Sequence, residues 1–188
     1  PVLAAHCVVL DDEDIEILAR RKVGVAHNPE SNMKLASGAA RVPDMLAAGV
    51  LVALGTDGAS SNNNLDMIQE IRSCCFMHKL VRLDPRAVTA YQALEMATVN
   101  GARALGLEDV GVLYPGMKAD LILVDFRKPH LCPRNDVAAH LAYSAAGADV
   151  DTVMVDGRIL MRGRQLKTIN EEMVMRQVED TVAGFFTR

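Results

Sequence analysis

The sequence predicts an α/β fold in which parallel strand and helix units give way, past residue 110, to a β-rich segment. Apolar runs of strand length stand at 1–5, 23–26 and 50–54, separated by stretches with helical signals. Each run leads, at once or within three residues, to an ionisable side chain: His6, His27 and Asp57. Gly111, Pro115 and Gly116 then mark a change of texture, after which short strands and a hairpin dominate. The chain accordingly divides into strand and helix units over 1–110, a β-rich segment over 111–165 and a terminal helix within 166–188.

In chain order, Pro1 to Ala5 reads as the first strand. DDEDIEILARRK comes next, with acids in its first turn, bases in its last and Ile15, Leu18 and Ala19 as its apolar stripe, a charge order that suits the helix dipole. Val23 to Ala26 is the second strand, ending at His27, and a Gly/Ser/Asn-containing loop succeeds it. RVPDMLAAG is a short helix with Pro43 near its start and Gly49 as its stop, and Val50 to Leu54 is the third strand. GTDGASSNNN reads as a polar loop, and Leu65, Ile68, Ile71 and Cys75 then fall at helical spacing. Residues 84–105 read as helical, with Pro85 near one start and Thr98 as a cap for a second short turn before Gly106. ADLILVD is expected to be a buried strand, and VDTVMVDGRILM a hairpin around Asp156-Gly157. Asn170 caps the last helix, whose apolar face is Val174, Val178, Val182 and Phe185.

The 188 residues are half apolar and 23% charged, with a formal net charge of −4, the composition of a globular protein. No basic run offers an electrostatic footprint for nucleic acid or an anionic membrane, so the expected partner is a small molecule. No apolar run reaches the roughly 18–20 residues of a membrane span, and PVLAAHCVVL is too short and uncharged for a signal peptide. A cytoplasmic protein is expected. Cys7, Cys74, Cys75 and Cys132 lack metal or disulfide spacing and read as reduced, mostly buried thiols. A chain that opens on Pro inside a strand reads as cut.

His6, His27 and Asp57 occupy equivalent positions in successive units, the catalytic rim of a parallel barrel, so residues 21 and 30 apart in sequence can converge. Imidazole and carboxylate are ligands for first-row metals. Taken singly, each has a plainer reading: a hydrogen-bonded histidine, or an Asp-Gly turn. Repetition of the position is what raises a shared site to an even contest. His78, His130 and His140 lack that setting and read as structural or exposed, and Cys74-Cys75 as core packing.

The blocks HCVVLDDEDIEILARRKVGVAHNPESNMKLASG and VALGTDGASSNNNLDM resemble the amidohydrolase superfamily. Within it they look most like the deaminases of 5-methylthioadenosine and S-adenosylhomocysteine, and less like guanine deaminases and triazine chlorohydrolases. GVLYPGMKADLILVDF resembles the return of such enzymes to a small β-sandwich. The resemblance implies the C-terminal part of a (β/α)8 barrel with a segment of that sandwich, since a whole barrel needs roughly 200 residues or more. It implies zinc, with iron as the other candidate, held by a His-x-His pair and a further His absent here, and by Asp57. It implies catalysis by His6 and Asp57, with His27 and Asn32 beside the substrate, an aminopurine nucleoside that loses ammonia to a metal-activated water. The N-terminal half of the barrel would be the missing partner. An inert structural fragment is the competing reading, and oligomeric state is left open, a homo-oligomer being one arrangement.

Overall fold

The structure, a computed structural model, describes residues 2–186, so that Pro1, read as the start of the first strand, lies outside it. The first part runs β1 (Leu3–Ala5), α1 (Asp12–Arg21), β2 (Gly24–His27), α2 (Pro29–Lys34), α3 (Val42–Ala47), β3 (Val52–Leu54), α4 (Ala59–Asn62), α5 (Met67–Arg82), α6 (Ala90–Ala97) and α7 (Val99–Ala104). The three strands form one parallel sheet in sequence order, with Ala5 opposite Ala26 and Ala26 opposite Ala53. Parallel neighbours require a crossover, and α1 and α3 provide it.

Local chemistry sets the helix ends. The Asp11 side chain accepts from the Asp14 backbone N–H at 2.9 Å, Asp14 returns the bond, and Lys22 in the left-handed region stops α1. The core lies between sheet and helices, where Val25, Val52, Met45, Cys74, Cys75 and Met96 are all fully buried. The two cysteines pack there, as expected, whereas Cys132 is exposed.

Three helical details depart from the sequence reading. Both polar loops contain a helix, α2 and α4, too short to show a period. The 84–105 stretch begins its helix only at Ala90, where Thr89 and Gln92 make a capping box, so Pro85 sits in the preceding turns. Thr98 does precede α7, but its hydroxyl donates back to the Leu94 carbonyl at 2.7 Å and makes no cap bond.

The second part holds β4 (Leu121–Val124), α8 (Val137–Tyr143), β5 (Val150–Val155), β6 (Arg158–Arg162) and β7 (Gln165–Leu166), an antiparallel sheet in the order β4-β5-β6-β7. Asp156 and Gly157 both take positive φ, 48° and 73°, as a two-residue hairpin turn requires. β4 is not the buried strand expected: Ile122 is 49% and Leu123 55% exposed, because among the described residues nothing covers that part of the sheet. The parts are joined through α5, where Asp66 accepts from the Gly147 N–H at 2.9 Å and Arg72 donates to the Ala145 carbonyl at 2.6 Å. A Cβ at Gly147 would lie 2.6 Å from the Asp66 carboxylate, so this approach requires glycine.

The last helix, α9 (Glu171–Phe186), is capped by Asn170, whose side chain accepts from the Met173 N–H at 3.0 Å. Its expected apolar face is exposed at Val174, Val178, Val182 and Phe185. Among the described residues no helix is long and apolar enough to cross a membrane.

Candidate functional site

His6 is the first residue beyond β1, and its N–H continues the ladder to the Ala26 carbonyl at 2.9 Å. The chain then turns sharply, with His6 and Cys7 at φ 65° and 49°. Asp57, three residues beyond β3, also takes a positive φ, 60°. Non-glycine residues hold this conformation at a cost, and such outliers gather at functional sites. The turns bring His6 Nε2 to 3.7 Å from Asp57 Oδ2 across the end of β2, with 38% and 33% of the two side chains open to solvent.

α2 supplies the supports. Asn32, 1% exposed, lies with its Oδ1 2.9 Å from His6 Nδ1. With that carbonyl accepting, Nδ1 carries the proton and Nε2 is turned toward Asp57. Ser31 and Ser61 both donate to Asp57 Oδ2, at 2.8 and 2.7 Å. Those hydroxyls, Ser61 foremost, with the Gly58 N–H, hold the carboxyl down at about 2. Gly55 permits the two loops to close on each other: a Cβ there would stand 2.9 Å from the Asn28 amide nitrogen.

His27 lies elsewhere. It shares its face of β2 with Val25, is fully buried, and places Nε2 3.0 Å from Nε2 of His78 on α5. Burial, reinforced by each imidazole's neighbours, pushes both below the usual histidine range. With Cys74 they form the one group of metal-ligand types found close together among the described residues, all within 4.8 Å. The Cys74 thiol is pushed far up by burial, and the pair reads as a hydrogen-bonded core contact. The histidine expected beside the substrate is thus turned to the helices, and Asn32 is turned to His6.

Sequence reasoning missed Ser31, Ser61 and Glu70, and read His78 as structural or exposed; it is buried against His27. The two serines were legible only as parts of HNPESN and GTDGASS. The two α5 residues carry no motif, and their burial comes from packing.

A strand-end imidazole beside a strongly ionised carboxylate, on parallel strand and helix units, is the arrangement of a barrel hydrolase. The amidohydrolase family model matches residues 2–160, and the chain belongs to that family. It is 63% identical over 95% of its length to 5-methylthioadenosine/S-adenosylhomocysteine deaminase of Moorella thermoacetica, and 60% identical to that of Pelotomaculum thermopropionicum. It spans 42% and 41% of those proteins. Its fold superposes with a TM-score of 0.96 on a zinc-bound adenosine deaminase from Xanthomonas campestris, at 35% identity over 99% of this chain and 43% of that one. A zinc complex of atrazine chlorohydrolase from Arthrobacter aurescens gives 0.89, at 27% identity over 95% and 40%.

The family implies a divalent metal. Asp57 fits one position in its shell: an anionic carboxylate, partly open, with an imidazole beside it, is the oxygen and nitrogen chemistry that zinc takes. A catalytic zinc takes three protein ligands, more than Asp57 alone supplies.

Proposed function

We propose that this chain is the C-terminal part of a zinc-dependent hydrolytic deaminase whose substrate is an aminopurine nucleoside of the methylthioadenosine or S-adenosylhomocysteine type. The observation that carries the reading is the His6–Asp57 pair at 3.7 Å, supported from α2 and α4. Identity of 52–63% to relatives named for that activity supports the substrate class.

Asp57 is the residue of this chain that would hold the metal, with zinc the first choice and iron the second. A divalent metal, when bound, lowers the pKa of water toward neutrality. Asp57 stays ionised and accepts the proton of the attacking water, while His6 orients that water through Nε2 and stabilises the charge that develops beside it. Water replaces the ring amino group, giving the 6-oxo purine and ammonia. Asn32 acts through His6, fixing its tautomer and direction. Stored backbone strain at His6 and Asp57 supports this assignment.

The test uses the protein expressed from its complete reading frame and loaded with zinc. Ammonia release from methylthioadenosine or S-adenosylhomocysteine is expected, and Asp57→Asn should lower it by about a hundredfold or more, with circular dichroism unchanged. Chloride release from a chlorotriazine, with no ammonia from any adenosine derivative, would transfer the chain to the chlorohydrolase branch.

A further inference from the structure

We propose that Glu70 is a positioning residue, a buried carboxylate on α5 that clamps together the two loops carrying the catalytic side chains. Glu70 is fully buried, although it is a carboxylate on a helix whose other buried side chains, His78 apart, are apolar or sulfur-containing. Its Oε2 accepts from the Glu30 backbone N–H at 3.2 Å, and its Oε1 from Asn62 Nδ2 at 2.5 Å. Asn62 Nδ2 also donates to the Thr56 carbonyl at 2.8 Å.

The positions of these partners give the clamp its meaning. Glu30 immediately precedes Ser31 and Asn32, Thr56 immediately precedes Asp57, and Asn62 comes directly after Ser61. One carboxylate therefore ties down both serines on Asp57, the asparagine on His6, and the turn that presents Asp57 itself. α5 reinforces the grip, since Ser73 donates to the Glu30 carboxylate at 2.8 Å.

A purely structural role explains this residue less well. Taking a carboxylate out of water is costly, and an apolar side chain of similar volume is often as stable or more so. Among the described residues no cation pairs with Glu70 to offset that cost. The carboxylate supplies two acceptor oxygens on one rigid group, facing two donors from different loops. Glutamine cannot reproduce this, because its amide has one oxygen and one NH2, so one donor would meet another donor.

The inference rests on the deaminase reading, and the test separates the two. The zinc-loaded protein from the complete reading frame is compared with Glu70→Gln, with Asn62→Ala as a second break in the same clamp and with exposed Glu13→Gln on α1 as a control. Hydrogen exchange is measured along the chain beside kcat and KM for methylthioadenosine. Both clamp variants should exchange about tenfold faster or more over 29–34 and 56–63 and little elsewhere, with kcat lowered about 10–100-fold and KM nearly constant. Glu13→Gln should match the wild type.

Unchanged exchange in those segments with kcat within twofold of wild type would overturn the proposal. So would a uniform rise in exchange across the core, the mark of a merely structural carboxylate. If Glu70→Gln does not fold, Asn62→Ala decides by the same criteria. If the wild type releases no ammonia, the deaminase reading fails, and localised exchange over 29–34 and 56–63 alone decides whether Glu70 clamps the loops.

Discussion

The parallel and antiparallel sheets both draw on Val and Leu, yet the two are covered very differently. In β2 and β3, Val25 and Val52 are fully buried, whereas Ile122 and Leu123 of β4 are about half exposed. The difference lies in the layer of helices packed on each sheet. Helices pack on two strands of the parallel sheet, α7 on β2 and α3, α5, α6 and α7 on β3, while β1 at its edge stays largely exposed. β4 to β7 connect mostly by tight turns that add no layer. An apolar run thus specifies a strand, and the helices that pack on the sheet, some of them distant in sequence, specify how deeply it is buried. The His6–Asp57 pair stands at the end of the parallel sheet, where α2 and α4 hold its side chains in place.

That comparison can be broken by mutation. Met45→Ala, in the core of the covered sheet, should lower the unfolding free energy by about 2–5 kcal/mol in urea titration. A loss below about 1 kcal/mol would mean that the helix layer packs loosely. Asn32→Ala, beside the same sheet, should lower kcat about 10–100-fold with KM little changed, because it frees His6. A rise in KM at constant kcat would return Asn32 to the substrate-side role that the family resemblance implies.

Protonation offers a third, smaller probe. His27 and His78 are held neutral by burial, so the stability they contribute is present above the unfolded histidine pKa of about 6.5 and is lost as pH falls below it. Glu70 works in the opposite sense. Burial, its largest influence, raises it to about 7, so its contribution is present below the unfolded value of about 4.3 and is lost as pH rises toward 7. Two histidines against one carboxyl leave about one proton, a slope of at most about 1.4 kcal/mol per pH unit between about pH 6 and 4.5. Denaturation midpoints should fall with pH across that window, and His78→Gln should flatten the fall. At the weak end, Ile122→Ala on the uncovered sheet should change stability by less than about 1 kcal/mol, and a larger loss would show that a covering surface had gone unrecognised.

The sequence made the strand ends legible, because an apolar run leading into His6 or into GTDG announces both a strand and its polar exit. It also exposed the Asp156-Gly157 hairpin, whose residues are those that tolerate positive φ. α2 and α4 stayed hidden because helices of six and four residues rich in Asn and Ser read as loops. The side of the sheet taken by His27 was available from simple alternation, since it shares parity with the core residue Val25. His6 escapes that alternation because the backbone turns left-handed just where the strand stops. No local pattern could have announced the contact of Glu70 with Glu30 or of His78 with His27, 40 and 51 residues away.

The four unpaired cysteines are distributed so that alkylation would record the breathing of the molecule. Cys132 is exposed and Cys7 half-buried, whereas Cys74 and Cys75 are sealed beneath the sheet. A thiol-specific reagent applied under native conditions should mark Cys132 first and Cys7 more slowly, leaving the adjacent pair untouched until α5 lifts away. Because that pair falls within one peptide, each such excursion would be stamped there as a mass increment, a clock for core opening that needs no added dye.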